Sequence, residues 1–181
     1  MKTQRLLALL AVVLCFSVRP AAADALVTGT VGWAFSGDLE QDHLSYGASI
    51  GFMGEGILGF EIEGTHTPDF FGETPGNNNV TTLMGNVILG APLGAARLYA
   101  SGGAGLMRLR VADVDEFFDI DRNDFGVNAG AGIMVFFGDN FGARGDIRYF
   151  RDVHESETGD FDVDFGGFHY WRGSFGLTLK F

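Results

Sequence analysis

The sequence has a single cysteine and only four prolines in 181 residues, and its 12 basic residues are outnumbered by 23 acidic ones. Cys15 lies in a segment that we expect to be removed on export, so the exported chain has no thiol for a disulfide or a cysteine-ligated metal. Three of the basic residues precede residue 24, which leaves nine against 23 acidic residues and a net charge of −14. Such a chain repels phosphate backbones, so a nucleic-acid partner is not expected.

Export is predicted from the first 23 residues, which have the three parts of a secretory signal peptide. Lys2 and Arg5 form a positive start, residues 6–18 are apolar, and three alanines before Asp24 offer a cleavage site. The apolar stretch of about 13 residues is shorter than the ~20 residues that a membrane-spanning helix needs. The predicted domains are a cleaved signal peptide over residues 1–23 and one exported domain over residues 24–181.

Apolar residues of the exported chain recur at every second position, which is the period of a β-strand whose two faces meet different surroundings. No segment shows the period near 3.6 residues of an amphipathic helix. In the strand over residues 98–111 the apolar parity is ambiguous, and Arg108 and Arg110 favour an apolar face made of Tyr99, Met107, Leu109 and Val111. Eight strands are predicted, over residues 27–35, 44–52, 58–62, 83–89, 98–111, 125–137, 143–149 and 171–181.

The connections between these strands alternate in length. Short ones lie near residues 53–56, 90–94 and 138–140, and longer ones span 37–42, 67–79, 112–124 and 152–169. Short turns at one rim and long loops at the other are typical of a transmembrane barrel with both chain ends in the periplasm. The four longer connections hold 17 of the 23 acidic residues, so the negative charge is expected at one rim.

Periodicity alone does not say which face of the barrel is apolar. A soluble eight-stranded barrel of lipocalin type turns its apolar face inward around a ligand, and a membrane barrel turns it outward. The opposite face consists mostly of Gly, Ser, Thr and Ala, which is poorer in Lys and Glu than a water-facing surface. Aromatic residues also cluster towards the strand ends, as interfacial girdles do. Both features favour the outward arrangement, as does a chain that stops on Phe181.

Four segments, at residues 59–64, 99–105, 142–151 and 173–181, resemble strands of the small outer-membrane β-barrel proteins of Gram-negative bacteria, of OmpA-barrel and OmpX-like type. The resemblance covers residues 26–181 and implies an all-β fold in the cell outer membrane. The implied fold is an eight-stranded antiparallel up-and-down transmembrane barrel with short periplasmic turns and long extracellular loops. It also implies that the barrel-assembly machinery reads an insertion signal formed by Phe175, Leu177, Leu179 and Phe181.

Charged residues on the small-residue face predict what fills the lumen. An eight-stranded barrel is just wide enough for side chains to fill it, and isolated charges there are costly. We therefore expect a paired network and no metal or cofactor, with Arg108 as a further candidate partner. The network is interpreted as a structural plug, with an ion path or gate as the alternative. Its predicted members are Glu61, Glu63, Arg144, Asp146 and Arg148.

Two sequence patterns suggest other chemistry. Asp119-x-Asp121-x-Asn123 resembles a calcium loop superficially, but it lacks the glycine at the sixth position and the closing glutamate. His43-Leu-Ser45 and His154-Glu-Ser156 have the His-x-Ser spacing of lipid A deacylases, at places where those enzymes do not carry it. Neither pattern is taken as a site.

The sequence therefore predicts a monomeric, non-enzymatic outer-membrane scaffold that presents acidic loops for envelope integrity, surface interaction or adhesion. A narrow ion-conducting pore is the alternative, followed by a lipid-modifying enzyme and a soluble lipocalin-like carrier. The expected partners are outer-membrane lipid and lipopolysaccharide, together with the assembly machinery during biogenesis.

Overall fold

The computed structural model describes residues 23–37, 42–68, 78–111, 120–155, 163–164 and 168–181. Residues 1–22, which hold most of the predicted signal peptide, lie outside this part of the chain. Among the described residues, no helix is long and apolar enough to span a membrane. The strands in the described ranges are β1 (Ala23–Phe35), β2 (His43–Gly54), β3 (Leu58–Pro68), β4 (Asn78–Leu93), β5 (Ala96–Val111), β6 (Ile120–Phe137), β7 (Phe141–Glu155), β8 (Val163–Asp164) and β9 (His169–Lys180).

Eight of these strands form a closed antiparallel barrel. Neighbours pair in sequence order from β1 to β7, and β9 closes the ring by pairing with both β7 and β1. The two-residue β8 pairs with the end of β7. At the seam, Ala25 and Phe181 exchange two backbone hydrogen bonds of 3.2 and 2.9 Å. The predicted eight-stranded up-and-down barrel is confirmed.

The two rims differ as the connection lengths predict. The rim at which β1 begins and β9 ends, called the turn rim, has the tight turns at residues 55–57, 94–95 and 138–140. Gly56 and Gly138 adopt φ values of 74° and 77°, a left-handed conformation that favours glycine. The opposite rim, called the loop rim, has the longer connections between residues 35–43, 68–78, 111–120 and 155–169.

Large apolar side chains cover the outside of the barrel. Ile62 is 64% exposed and Phe175 68%, and the pattern recurs on every barrel strand. Since a continuous apolar surface of this kind is unfavourable in water, it fits a lipid environment and excludes the inward-facing arrangement of a soluble carrier. Outward-facing residues include Ile133, Ile147, Leu177 and Leu179, whereas Asn128, Arg148 and Thr178 are buried inside.

The predicted parity of β5 is wrong. Tyr99 and Met107 point into the lumen and are 4% and 1% exposed, whereas Leu106 is 55% exposed on the outside. Arg108 and Arg110 share the outer face with Leu106. Both arginines lie in the last rungs of β5 next to the loop rim, where the apolar surface ends, so an outward charge does not meet the apolar belt. Arg108 is therefore not a lumen residue.

Two apolar clusters fill the ends of the lumen. The loop-side cluster contains Ala34, Val80, Met84, Met107, Phe150 and Tyr170, in which the last two rings stack at 5.0 Å. The turn-side cluster contains Leu26, Met53, Ile88, Tyr99 and Met134, with Phe136 packed against it. The four methionines are 0–1% exposed, and their flexible thioethers suit the irregular space inside a narrow barrel.

Candidate functional site in the barrel lumen

Between the two apolar clusters lies a charged layer, here called the central cluster. It comprises Glu61 and Glu63 from β3, Arg144, Asp146 and Arg148 from β7, and Arg172 from β9. Alternate residues of a strand share one face, which is why the i, i+2 spacings on β3 and β7 aim these side chains inward. Since β3 and β7 are four strands apart in a ring of eight, their ion pairs cross the full width of the lumen.

Glu61 is the most densely coordinated carboxylate of the central cluster. Arg144 reaches it through Nη1 and also through Nη2, the latter at 3.3 Å from Oε1. Arg148 donates to the same Oε1 through Nη2 at 2.8 Å. Ser49 Oγ adds a bond of 3.1 Å and Asn86 Nδ2 one of 3.4 Å. Two guanidiniums and two neutral donors therefore replace the water that Glu61 has lost.

Glu63 and Asp146 continue the network on either side. Arg148 Nη1 bonds Glu63 at 3.1 Å, and Arg172 Nη2 bonds both Glu63 oxygens at 2.7 and 2.8 Å. Asp146 accepts the Tyr99 hydroxyl at 2.7 Å and Arg144 Nε at 3.0 Å. The six charged side chains are 0–3% exposed, and three carboxylates balance three guanidiniums, so the layer is buried and neutral.

Guanidinium planes connect the central cluster to the apolar clusters above and below it. Arg172 lies over the Phe150 ring at 4.8 Å, on the loop side, and Arg144 lies over the Tyr99 ring at 4.9 Å, on the turn side. Both distances fall within the range of a cation–π contact. Arg172 and Arg144 therefore link the central cluster to the apolar cluster on each side of it.

Glycines on β6 make room for these side chains. A Cβ at Gly132 would stand 2.5 Å from the Tyr99 hydroxyl oxygen and 2.6 Å from Asp146 Cβ, and one at Gly130 would stand 2.6 Å from Arg148 Cγ. Real Cβ atoms do not approach other atoms so closely. The central cluster therefore requires glycine at these two positions of β6.

A second charged contact lies at the turn rim. Arg97 Nη2 is 3.5 Å from Asp24 Oδ2, and its Nη1 is 2.9 Å from the sulfur of Met53. The guanidinium also stands over the Phe136 ring at 5.2 Å. This arginine closes the turn-side cluster towards the periplasmic opening that the connection lengths predict.

The structure brings together the five lumen residues that the sequence singles out. Arg172, which completes the cluster, was absent from that set, although its inward parity on β9 was readable from the alternation with Trp171. Asn86 and Asn128 were missed as supporting groups; they join each other by a bond of 2.8 Å. Residues Phe175, Leu177, Leu179 and Phe181 line the outer face of the last strand and are all exposed.

The calcium-like segment and the His-x-Ser patterns are only partly covered by the described residues. In the ranges that the structure describes, no group of three or more His, Cys, Asp or Glu side chains could hold a metal ion. Asp119 of the calcium-like segment lies outside the described residues, as do the side chains of Asp121, Asn123 and His154. His43 and Ser45 share the inner face of β2, whereas His66 is on the outer face and its Nδ1 lies 2.8 Å from Thr81 Oγ1.

Comparison with known proteins agrees with this architecture. The family model for the outer membrane protein beta-barrel domain matches residues 8–180. Neisserial surface protein A superposes with a TM-score of 0.66 at 16% identity, over 88% of this chain and 97% of that one. The N-terminal β-barrel domain of Pseudomonas aeruginosa OprF gives 0.60 at 16% identity, over 87% and 97% of the two chains.

The attachment invasion locus protein Ail of Yersinia pestis, solved with the heparin analogue sucrose octasulfate, gives a TM-score of 0.59 at 14% identity, over 88% of this chain and 98% of that one. No curated protein matches the sequence significantly. At these identities the solved structures establish the fold, and the family model, which spans most of the chain, establishes the family. This chain belongs to the outer membrane protein beta-barrel domain family.

Proposed function

We propose that this protein is a non-conducting, non-catalytic scaffold of the outer membrane whose activity lies at its loop rim. The observation that carries the proposal is the neutral central cluster, which crosses the lumen between two apolar clusters. A barrel whose interior is filled in three layers can anchor loops rigidly, and it offers no open route to ions.

An ion crossing this lumen would have to separate pairs that support each other. Glu61 is shared by Arg144 and Arg148, and Glu63 by Arg148 and Arg172, so opening one pair strains the next. Removing one partner of a buried pair typically costs about 3–5 kcal/mol, because the other charge remains unsolvated. Spontaneous opening of several such pairs is correspondingly rare.

The loop rim is where partners are expected to bind. The four long connections that the sequence predicts, at residues 37–42, 67–79, 112–124 and 152–169, hold 17 of the 23 acidic residues, which gives this rim a strongly negative potential. A negative rim favours a cationic partner or one bridged by divalent cations. Binding of a polyanion such as the sucrose octasulfate of the Ail structure is disfavoured by the same charge.

Ion flux through proteoliposomes tests the closed lumen. Refolded protein, with its folded fraction read from the heat-modifiable gel shift, is incorporated at increasing protein-to-lipid ratios. Vesicles loaded with potassium are expected to hold their gradient as long as protein-free vesicles do. A leak that grows in proportion to the folded protein would support the narrow pore and contradict the scaffold.

The same vesicles test the non-catalytic part of the proposal. Labelled lipid A and labelled phospholipid are included in the bilayer, with and without calcium. No release or transfer of acyl chains is expected. Time-dependent release that is lost in His43→Ala would instead assign the barrel an enzymatic role.

A further inference from the structure

A row of polar side chains crosses four strands on the outside of the barrel near the loop rim. Tyr46 pairs with His66, His66 with Thr81, and Thr81 with Arg108, each directly across from the next on β2 to β5. The rings of Tyr46 and His66 are 5.5 Å apart, and His66 Nδ1 lies 2.8 Å from Thr81 Oγ1. Tyr46, Thr81 and Arg108 are exposed. These four residues are called the polar row.

The polar row lies at one edge of the apolar surface. On β5 the outward residues below Arg108 are apolar or small and begin at Leu98, ten residues earlier. Ten residues at ~3.3 Å, on a strand tilted by ~40°, rise by ~25 Å, which is the height of the apolar band of such barrels. Because short turns face the periplasm in these barrels, Arg108 stands at the level of the outer-leaflet headgroups.

An apolar groove lies directly below the polar row. Ala48 pairs with Gly64 one step below the pair of Tyr46 and His66 on the same face, and Gly85 follows on β4. These small outward residues leave a depression of about 780 Å³, whose lining includes Ile50 and Val87. A charged and hydroxyl-bearing row above an apolar groove matches a lipid with a polar head and acyl chains.

We propose that the polar row and the groove together bind one phosphorylated acyl lipid of the outer leaflet, namely lipid A. Arg108 binds a phosphate, because its guanidinium carries five N–H donors in a planar fork that suits phosphate oxygens. The hydroxyls of Tyr46 and Thr81 add donors, and one acyl chain lies in the groove. This inference deepens the proposed function and rests on its outer-membrane placement, but not on a closed lumen.

Arg108 is the arginine of the polar row, and its side chain is exposed at the loop-rim end of the apolar surface. A phosphomonoester such as that of lipid A carries up to two negative charges, whereas a phospholipid diester carries one, and this difference favours lipid A over phosphatidylglycerol.

Lipid retention by the refolded protein tests the site. Protein in mixed micelles is incubated with lipid A, dephosphorylated lipid A or phosphatidylglycerol, and the bound lipid is counted by native mass spectrometry. We expect one lipid A per barrel and about tenfold weaker retention for Arg108→Gln, the effect of losing a charge-assisted hydrogen bond. Gly85→Leu should weaken retention similarly, because a Cβ there meets only Ala104 O at 3.8 Å and the leucine fills the groove.

Two variants on other strands serve as matched controls. Arg151→Gln removes the same charge near the loop rim on β7, and Ala131→Leu enlarges an exposed small residue on β6. Both should retain lipid A like the parent. Equal losses in the controls, equal retention of dephosphorylated lipid A, or equal retention of phosphatidylglycerol would each overturn the proposal. The heat-modifiable shift and the ion-flux assay report on fold and closure separately, so failure here is distinguishable from failure of the scaffold proposal.

Discussion

The inner and outer walls of this barrel use the same strands for opposite purposes. On β3, Glu61 and Glu63 are buried among partners from the far side of the ring, while Phe60 and Ile62 between them are 60% and 64% exposed. An outer-wall side chain contacts the surrounding lipid, and its contribution to the free energy of unfolding is expected to be independent of other residues. An inner-wall side chain meets residues distant in sequence, such as Arg144, and its contribution depends on them. The difference is one of coupling, and substitutions on the two walls should reveal it.

The largest effect is expected from unbalancing the inner wall. Glu61→Gln combined with Glu63→Gln leaves Arg144, Arg148 and Arg172 with Asp146 as the remaining acid of the central cluster. We expect the free energy of unfolding to fall by about 3–5 kcal/mol or more, because buried cations lose their partners. Urea unfolding of the refolded protein in lipid vesicles measures this, with Glu55→Gln at the turn rim as a control of unchanged stability. If the double variant is as stable as the Glu55→Gln control, the lumen is hydrated and the charges do not need their partners.

A charge on the outer wall should cost somewhat less. Ile133→Arg places a guanidinium against the membrane interior, which costs ~2–4 kcal/mol near the midplane of such barrels. Ile133→Leu is the control and should leave the unfolding midpoint nearly unchanged. Cysteine at position 133 should also react with a lipid-soluble maleimide, and cysteine at position 128 should not. The reverse labelling pattern would mean that position 128 faces lipid and position 133 faces the lumen.

Substituting alanine for glycine should change stability on the inner wall but not on the outer wall, with a smaller effect than the charge changes above. Gly132→Ala forces a methyl group against Tyr99 and Asp146, and overpacking of this kind typically costs about 1–3 kcal/mol. Gly29→Ala is the matched change on the outer wall, where a Cβ meets nothing within 4 Å, and it should lie within about 0.5 kcal/mol of the parent. Equal effects of the two changes would indicate that the inner wall is not tightly packed.

The smallest effect on stability is expected at the end of the chain. Deleting Phe181 removes its two backbone bonds to Ala25, which we expect to cost about 1 kcal/mol at the rim. Phe181→Ala keeps those bonds and removes only the exposed ring. If the ring is part of an insertion signal, both variants should lower the outer-membrane yield in cells, while only the deletion lowers the stability of refolded protein. Normal yields for both would contradict the signal.

Much of this fold was predictable because strand alternation and connection length are local properties. The run from Phe125 to Phe137 gives its faces directly, and the alternation of short and long connections gives the order of the strands. β5 was misassigned because Arg108 and Arg110 were weighed as if they lay in the membrane interior. The two arginines can face outward because they lie beside the loop rim, above the apolar surface. The alternation of residues along a single strand does not show how far along the barrel each residue lies.

The central cluster was partly predictable for the same reason. The inward parity of Glu61, Arg144 and Arg148 is local, and charge balance alone suggests that they pair. Arg172 was missed because its partner Glu63 lies three strands away around the closed ring, a relation that exists only after closure by β9. The apolar clusters at both ends were missed because inward methionines look like lipid-facing residues in a sequence with period two.

The coupling between the two sides of the lumen tests the account most directly. Unfolding free energies are measured for the parent, Glu61→Gln with Glu63→Gln, Arg144→Gln with Arg148→Gln, and all four changes together. The fourfold variant leaves Asp146 and Arg172, one charge of each sign, so its loss should be smaller than the sum of the two double variants by several kcal/mol. Losses that add within about 0.5 kcal/mol would mean that these side chains do not meet across the barrel.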